Sequence, residues 1–242
     1  MTRVALQLYT IRDECERDLA NALARVGAMG YDGVELFQLH GLDARALREL
    51  LDENGLAVAG RHTPLDFDAA ALAVEADVLG TRRAAINWID PETLASPEAV
   101  RDRIRSAAES ARDAGLELGF HNHWTEPAPL AGGPSFLDLL RDLPADLLWL
   151  ELDLGWVWQA GADPFRELEV TGGRCPLVHL KDYASREGRD DVPVGEGVVG
   201  YDRLVPAAVA AGAEWLIVEE DEVGDDPFGA VERSLSYVRG VM

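Results

Sequence analysis

Short apolar runs alternate with longer amphipathic segments along the whole chain. In several repeats a helical pattern ends at a glycine and an apolar run begins shortly afterwards, as in SAAESARDAG followed by LELGFHNH. Glycine suits the position after a helix because it adopts a left-handed conformation without a Cβ penalty. The pattern predicts eight strands, each followed by a segment that can be helical, at residues 4–9, 33–37, 57–62, 83–87, 117–122, 147–153, 176–180 and 215–220.

Several of these predicted strands are apolar on both faces, as the buried strands of a parallel sheet are. Eight strand–helix units in 242 residues are typical of a closed (β/α)8 TIM barrel. We therefore predict the α/β class and a single barrel domain over residues 1–242. The main alternative, an open doubly wound sheet, usually carries a glycine-rich phosphate loop. The chain has no GxxxxGK[ST] sequence, so the barrel is favoured.

The charge of the chain narrows the range of partners. There are 44 acidic and 22 basic residues, which gives a formal net charge of −22. That charge repels phosphate backbones, so nucleic acid is not expected as a partner. Apolar runs stay well below the roughly 20 residues that cross a bilayer, and the first residues lack the layout of a signal peptide. We expect a cytoplasmic protein that does not enter membranes, and a homo-oligomer is possible.

Polar residues stand where the predicted strands end. In a TIM barrel the strand ends on the C-terminal side carry the chemistry. A single carboxylate there can simply cap the next helix, and a single histidine is more often a hydrogen-bonded core residue. Several consecutive strands ending this way are harder to explain as structure alone. The residues are Gln7, Tyr9, Glu35, His62, Asn87, Trp88, His121, Asn122, His123, Glu126, Glu151, Asp153, His179, Lys181, Glu219, Glu220 and Asp221.

Buried carboxylates that lie together repel one another unless protons or a cation compensate their charge. A divalent metal with mixed oxygen and nitrogen ligands would do so. Strand parity helps to choose the ligands, because alternate residues share one face. Asp153 lies nearer the strand end than Glu151, so Asp153 is better placed for the mouth of the barrel. His179 and Lys181 share a face in the same way.

A set of motifs in a fixed order resembles the sugar phosphate isomerase/epimerase family. That family belongs to the xylose-isomerase-like TIM barrels, whose relatives include inosose dehydratase, ketose 3-epimerase and endonuclease IV. The resemblance extends over nearly the whole chain. It rests on QLYTIRD (7–13), HNHWTE (121–126), ELDLGWVWQAGADP (151–164), VHLKD (178–182), VPVGEG (192–197) and VEED (218–221).

The resemblance implies one divalent metal ion and a set of site residues. The implied ligands are Glu126, Asp153, His179 and Glu219. The mostly oxygen donor set favours Mn²⁺, Mg²⁺ or Co²⁺, with Zn²⁺ possible. The implied catalytic residues are Glu126, Glu219 and Lys181, and the implied substrate-binding residues are Gln7, Glu35, His62, His123 and Trp156.

One ligand position stays open. Pro127 directly follows Glu126 and restricts Glu126 to extended geometry. His123 is the alternative ligand from the fifth strand. A neighbouring metal would also lower the pKa of Lys181, so that this residue could exchange a proton.

Three functions fit these residues. The first is a divalent-metal-dependent isomerase or epimerase that acts on a small sugar or polyol ketone through an enediolate, with Glu126 and Glu219 as its acid/base pair. The second is a metal-dependent lyase, similar to inosose dehydratase or eliminating from a 3-keto-glycoside. The third is a sugar-binding barrel without catalysis. A small carbohydrate or cyclitol is the expected ligand in all three.

Overall fold

A closed barrel of eight parallel strands forms the centre of the molecule, as predicted. The computed structural model describes residues 1–130 and 133–242. The barrel strands are β1 (Arg3–Gln7), β2 (Gly33–Leu36), β3 (Ala57–Thr63), β4 (Arg83–Ile86), β5 (Glu117–His121), β6 (Trp149–Asp153), β7 (Leu177–Leu180) and β10 (Trp215–Val218).

The barrel closes because β1 pairs with both β2 and β10. Arg3 lies opposite Trp215, and the remaining strands follow one another in chain order around the ring. One irregularity interrupts the register. Val34 pairs with Val58 but Glu35 pairs with Gly60, so β3 carries one extra residue, Ala59, at this point. Such a bulge re-aims the side chains next to it.

Helices surround the barrel and connect successive strands. They are α1 (Arg12–Met29), α2 (Ala44–Glu53), α3 (Ala69–Leu79), α4 (Pro97–Asp113), α5 (Phe136–Arg141), α6 (Leu154–Gln159), α7 (Pro164–Thr171), α8 (Tyr201–Ala210) and α9 (Pro227–Val241), with short 3₁₀ helices at Leu8–Ile11 and Pro91–Ala95. No helix in the described ranges is both long and apolar enough to cross a membrane.

The local signals in the sequence account for many helix ends. Gly30 and Gly80 end α1 and α3 with φ values of 96° and 76°, in the left-handed region. Asp163 caps α7 by accepting a hydrogen bond from the Phe165 N–H group. Ser96 precedes α4 but makes no side-chain cap, so the proline that follows it sets this helix start.

The first strand is shorter than the sequence predicts. It ends at Gln7, whose side chain accepts a hydrogen bond from the backbone N–H of Tyr9 at 3.1 Å. This contact caps the 3₁₀ helix Leu8–Ile11 and turns the chain away from the sheet. Tyr9 is therefore at the mouth of the barrel and not in the strand.

The segment after β7 contains an antiparallel hairpin instead of an immediate helix. Its strands are β8 (Asp182–Tyr183) and β9 (Asp191–Val192). The sequence predicts a long polar loop over residues 184–200, and the tip of this loop, residues 184–190, joins the two strands. The hairpin stands over the C-terminal side of the barrel, because Asp191 lines the cavity there.

Candidate functional site

A cavity of about 500 Å³ opens at the C-terminal ends of the barrel strands. Active sites of TIM-barrel enzymes lie on this face, and the polar strand ends meet there as predicted. The lining combines carboxylates, histidines and aromatic rings. It consists of Tyr9, Phe37, His62, Asn87, Trp88, His121, His123, Trp124, Trp156, Arg189, Asp191, Glu219, Asp221 and Glu222.

Strand parity determines which residues reach this cavity. Trp149, Glu151 and Asp153 share one face of β6, and Asp153 is nearest the mouth. After β10, Glu219 lines the cavity, whereas the next residue, Glu220, faces α9. Its Oε1 lies 3.4 Å from Ser234 Oγ. The parity deduced from the sequence for β6 is therefore that of the structure, and the residues after β10 alternate in the same way.

Four buried side chains meet at the base of the cavity: His121, Asp153, His179 and Glu219. We call them the outer cluster. Each offers a ligand atom within 4.8 Å of the others. His179 Nδ1 lies 2.9 Å from Glu219 Oε2. Asp153 Oδ2 is buried and has no hydrogen-bond partner in the described part of the chain. A buried free carboxylate oxygen beside two imidazoles fits a divalent cation.

The protonation states of His121 and Glu219 suit such a cation. Burial alone would lower the pKa of His179, but the surrounding carboxylates hold it well above its usual value, so a bound metal would displace a proton from it. Burial holds the pKa of His121 well below its usual value, so its imidazole is neutral, which is the form that binds metals. Burial also raises the pKa of Asp153 to about 7. Burial alone would raise the pKa of Glu219, but the charges of Lys181 and His179 lower it, so Glu219 is ionised at neutral pH.

Lys181 lies beside the outer cluster and is only 1% exposed. Its Nζ atom is 2.8 Å from Asp221 Oδ2, 3.2 Å from Glu219 Oε2 and 3.7 Å from Asp153 Oδ2. The sequence-based expectation of a lowered pKa is wrong for this arrangement. Burial alone would lower the pKa of Lys181, but the surrounding carboxylates raise it above its usual value. Lys181 is therefore a cationic hydrogen-bond donor.

Beneath the outer cluster lies a second buried group, which we call the inner layer: Gln7, Glu35, His62 and Glu151. Glu35 Oε2 accepts hydrogen bonds from Gln7 Nε2 at 2.8 Å and from His179 Nε2 at 2.7 Å. His62 Nε2 lies 2.9 Å from Glu151 Oε2 and 3.2 Å from Glu35 Oε2. Gln7 and Glu35, two of the predicted substrate-binding residues, have no exposed surface and do not line the cavity.

Opposite charges balance within the inner layer. Burial alone would lower the pKa of His62, but Glu35 and Glu151 raise it to about 10. Burial alone would raise the pKa of Glu35, but His62 and His179 hold it well below its usual value. Burial and the charge of Glu35 raise the pKa of Glu151 to about 7. The layer thus holds a histidinium between two glutamates.

The structure does not bring Glu126 into the outer cluster. Glu126 is buried beyond the end of β5, where its Oε2 accepts a hydrogen bond from the backbone N–H of His123 at 2.9 Å. This contact turns the carboxylate back onto its own loop, and Glu126 does not line the cavity. His123 lines the cavity wall but is also outside the cluster. Strand β5 instead contributes His121, its last residue.

Comparison with known proteins agrees with this architecture. The family model described as xylose isomerase-like TIM barrel matches residues 23–240. The chain belongs to this family. A search of curated protein sequences gives no significant match.

Solved structures share the barrel at low sequence identity, which shows the fold alone. A sugar phosphate isomerase/epimerase from Parabacteroides distasonis aligns with a TM-score of 0.84 and 20% identity over 98% of this chain and 97% of that one. The probable 3-DHS dehydratase AsbF from Bacillus anthracis gives 0.74 and 15%, over 98% and 99%. An AP endonuclease, family 2, from Brucella melitensis gives 0.73 and 19%, over 99% of each chain.

Aromatic side chains form one wall of the cavity in this xylose isomerase-like barrel. Trp124 packs against Trp156 with ring centroids 5.2 Å apart and against Trp88 at 6.1 Å. The Arg189 guanidinium lies 4.0 Å from the Trp124 ring centroid. Sequence reasoning named Trp156, and it named Arg189 only as a residue that could contact a phosphate. It missed Asp191 as a lining residue, because the hairpin brings both Arg189 and Asp191 over the mouth.

A buried carboxylate organises the loop beyond this hairpin. The sequence GEGVVG, residues 195–200, has the GxGxxG spacing of dinucleotide-binding loops. Here the carboxylate of Asp182 takes the place of a phosphate. It accepts backbone hydrogen bonds from Gly195, Gly197 and Val199 at 2.9–3.1 Å. A Cβ at Gly197 would collide with this carboxylate. The HLKD and VPVGEG motifs are therefore two halves of one structural contact.

Proposed function

We propose that the chain is a divalent-metal-dependent isomerase or epimerase that acts on a small sugar or polyol ketone. The observation that carries this proposal is the outer cluster, whose two histidines and two carboxylates lie at the base of a cavity. The ligands are then His121, Asp153, His179 and Glu219. The cavity volume is within the range of sites for small molecules.

The donor set narrows the choice of metal. With His121 in place of Glu126, the cation has two imidazole and two carboxylate ligands. Mg²⁺ prefers oxygen ligands and retains several waters, so this site fits it poorly. Mn²⁺, Co²⁺ and Zn²⁺ accept imidazole nitrogen readily. We therefore rank these three ions above Mg²⁺.

A bound divalent ion supplies Lewis acidity, which stabilises negative charge on a substrate ketone when the neighbouring C–H proton is removed. Glu219 is ionised and lines the cavity, so it can accept that proton. Lys181 is cationic and lies 3.2 Å from Glu219, so it can donate a hydrogen bond to a substrate oxygen. Asp191 also lines the cavity, and burial raises its pKa to about 6, which suits proton return near neutral pH.

The aromatic wall supports a carbohydrate as the substrate. Flat rings stack well on the apolar C–H faces of sugars, and the edges of the cavity offer polar groups for hydroxyls. Trp124 and Trp156 form the stacking surface, and His123 packs beside them with its ring centroid 6.0 Å from that of Trp156. Burial lowers the pKa of His123 to about 3, so it meets the substrate as a neutral group.

A lyase is the second candidate, and the position of Glu126 favours it. The predicted epimerase pair needs Glu126 opposite Glu219, and Glu126 does not reach the cavity, so epimerisation would have to use Asp191 in its place. Elimination needs one base and one proton donor for the leaving hydroxyl. Glu219 and Lys181 are adjacent and can fill these roles.

The test uses metal-free protein that is reloaded with Mn²⁺, Co²⁺ or Zn²⁺ and incubated in D₂O with keto-sugars and cyclitol ketones. Incorporation of solvent deuterium into the expected product, otherwise unchanged in formula, supports the isomerase or epimerase. Loss of water with new ultraviolet absorbance supports the lyase. Failure of the protein to bind any of the three ions overturns both.

Lys181→Arg is the matched variant for this assay. It keeps the positive charge but replaces a compact ammonium by a planar guanidinium. We expect metal binding to remain and turnover to fall by about 100-fold or more, in the range of general acid–base contributions. Unchanged turnover would remove Lys181 from the proposed mechanism.

A further inference from the structure

Glu35 has a buried position that the proposed mechanism does not use. Its side chain is completely buried below the outer cluster, and no part of it lines the cavity. A carboxylate without a solvent path cannot contact a substrate in that cavity. Its role must therefore lie in what it does to its neighbours, Gln7, His62 and His179.

We propose that Glu35 is a positioning residue that fixes the ring orientation and tautomer of His179 for metal binding. This inference rests on the proposed function, because His179 is one of its metal ligands. His179 uses both ring nitrogens. Nε2 lies 2.7 Å from Glu35 Oε2, and Nδ1 lies 2.9 Å from Glu219 Oε2 in the outer cluster. In the neutral form that binds metals, the His179 imidazole carries only one N–H group.

The partner of Nε2 decides which nitrogen remains free for a metal. When Nε2–H donates to Glu35, the Nδ1 lone pair points into the outer cluster. If the proton instead sat on Nδ1, it would donate to Glu219 and block the ligand position. A carboxylate behind a ligand histidine fixes the tautomer and raises the basicity of the other nitrogen.

Glu35 is itself held in a fixed orientation. Gln7 Oε1 accepts the backbone N–H of Tyr9 at 3.1 Å, which determines which end of the Gln7 amide is the donor. Gln7 Nε2 then donates to Glu35 Oε2 at 2.8 Å. His62 Nε2 lies 3.2 Å from the same oxygen. Hydrogen bonds from Gln7 and His179 thus converge on one oxygen of Glu35, and the His62 ring nitrogen forms an ion pair with the same oxygen.

The backbone is also shaped around Glu35. The bulge in β3 lies opposite the step from Val34 to Glu35 and places Gly60 beside Glu35. A Cβ at Gly60 would lie 2.9 Å from Glu35 Oε1 and 2.8 Å from Leu177 Cδ2. Both distances are closer than real Cβ atoms approach. The absence of a side chain at Gly60 therefore provides the space that the Glu35 carboxylate occupies.

A second cation in the inner layer is the competing interpretation. His62, His121, Glu151 and His179 also offer ligand atoms within 4.8 Å of one another. In the structure, however, the Nε2 atoms of His62 and His179 already face the carboxylates of Glu151 and Glu35 at 2.9 and 2.7 Å. Hydrogen bonds therefore account for these contacts, and we expect one metal ion per chain.

The experiment measures Co²⁺ binding to metal-free protein by calorimetry, together with the visible absorption spectrum of bound Co²⁺. We compare Glu35→Gln and Glu35→Asp with the parent. Gln keeps the size and removes the charge, whereas Asp keeps the charge and withdraws it from His179. We expect both variants to bind Co²⁺ about 10- to 100-fold more weakly and with a changed spectrum.

Glu220→Gln is the matched control. Glu220 is a glutamate with 2% exposure that faces α9 and is outside both the outer cluster and the inner layer. We expect its Co²⁺ affinity to stay within about threefold of the parent, because the Glu220 side chain lies against Ser234 on α9 and not in the outer cluster.

The possible outcomes separate the two proposals. A parent that binds no Co²⁺ overturns the proposed function and this inference with it. A parent that binds one Co²⁺ while both Glu35 variants bind equally well overturns only the positioning role. Two Co²⁺ ions per chain would show that the inner layer is a metal site. Loss of cooperative unfolding in both metal-free variants would assign Glu35 to folding and also overturn the inference.

Discussion

The interior of this barrel has a lower apolar half and an upper polar half, and the same strands build both. On the inward face of a strand, the last apolar residue of the lower half and the first polar residue of the upper half are two positions apart. Leu177 precedes His179 on β7, and Ile217 precedes Glu219 at the end of β10. The apolar half consists of Ala5, Ala59, Ala85, Trp149, Leu177, Trp215 and Ile217.

The two halves have opposite relations to stability. Burying the rings of Trp149 and Trp215 removes apolar surface from water and stabilises the fold. Burying Glu35, Glu151 and Asp153 costs free energy unless each charge is compensated. The fold can hold such carboxylates because the apolar half and the packing of strands against helices provide stability elsewhere. This difference predicts that stability and metal binding respond to different substitutions.

The largest expected effect on stability is in the lower half. Trp215→Ala removes a ring that is 2% exposed and that packs under the Arg3 guanidinium at 3.7 Å. We expect a loss of about 3–5 kcal/mol in the free energy of unfolding, from lost burial and the cavity left behind. Urea unfolding measures it. The Co²⁺ affinity of the folded variant should change less than threefold. A larger loss of Co²⁺ affinity would show that the apolar half also determines metal binding.

A smaller effect, on the order of a few kcal/mol, should come from pH acting on the upper half. The pKa of His62 is raised to about 10, and that of His179 lies well above its usual value. Both hold a proton in the folded state that the unfolded chain releases near pH 6.5. Their stabilisation is complete below that pH and is lost as pH rises toward 10. Urea unfolding of metal-free protein at pH 6.5, 8 and 9.5 should show this decline.

His62→Gln provides the control for this pH dependence. It removes one of the two protonated histidines, so the decline between pH 6.5 and 9.5 should become shallower. An equally steep decline in His62→Gln would show that His62 does not contribute to it.

The smallest expected effect on stability has the opposite sign. Burial raises the pKa of Asp153 to about 7, so ionisation of this side chain opposes folding at pH 8 in metal-free protein. Asp153→Asn removes the charge and keeps an acceptor for the Trp156 N–H group. We expect a gain of about 1–2 kcal/mol in metal-free protein, together with a large loss of Co²⁺ affinity. A loss of stability would show that Asp153 supports the fold.

The candidate site was predictable wherever strand parity alone decides the position. Asp153, His179 and Glu219 each lie on the inward face at a strand end, and the structure brings them together. Parity could also have pointed to His121, the last inward residue of β5. The HNHWTE motif pointed to Glu126 instead. In the structure the loop turns the Glu126 side chain back, and its carboxylate accepts a hydrogen bond from the His123 N–H group.

Whether Gln7 and Glu35 reach the cavity depends on how deep in the barrel their side chains lie. The sequence does not show this depth. Both stand at inward strand positions, as residues of a cavity wall do. Depth depends on the stagger of neighbouring strands, and the bulge in β3 changes that stagger beside Glu35. The structure therefore places both residues in the inner layer, beneath the outer cluster.

The sequence by itself determined the eight strands, the barrel and the inward face of each strand, because periodicity and turn residues act over short distances. Tertiary structure alone decided which inward residues share a cluster and which lie beneath it. It also decided the charge state of Lys181, because the carboxylates around it come from β6 and from the loop that follows β10. Electrostatic interactions between distant parts of the chain depend on their separation in space, which only the closed barrel defines.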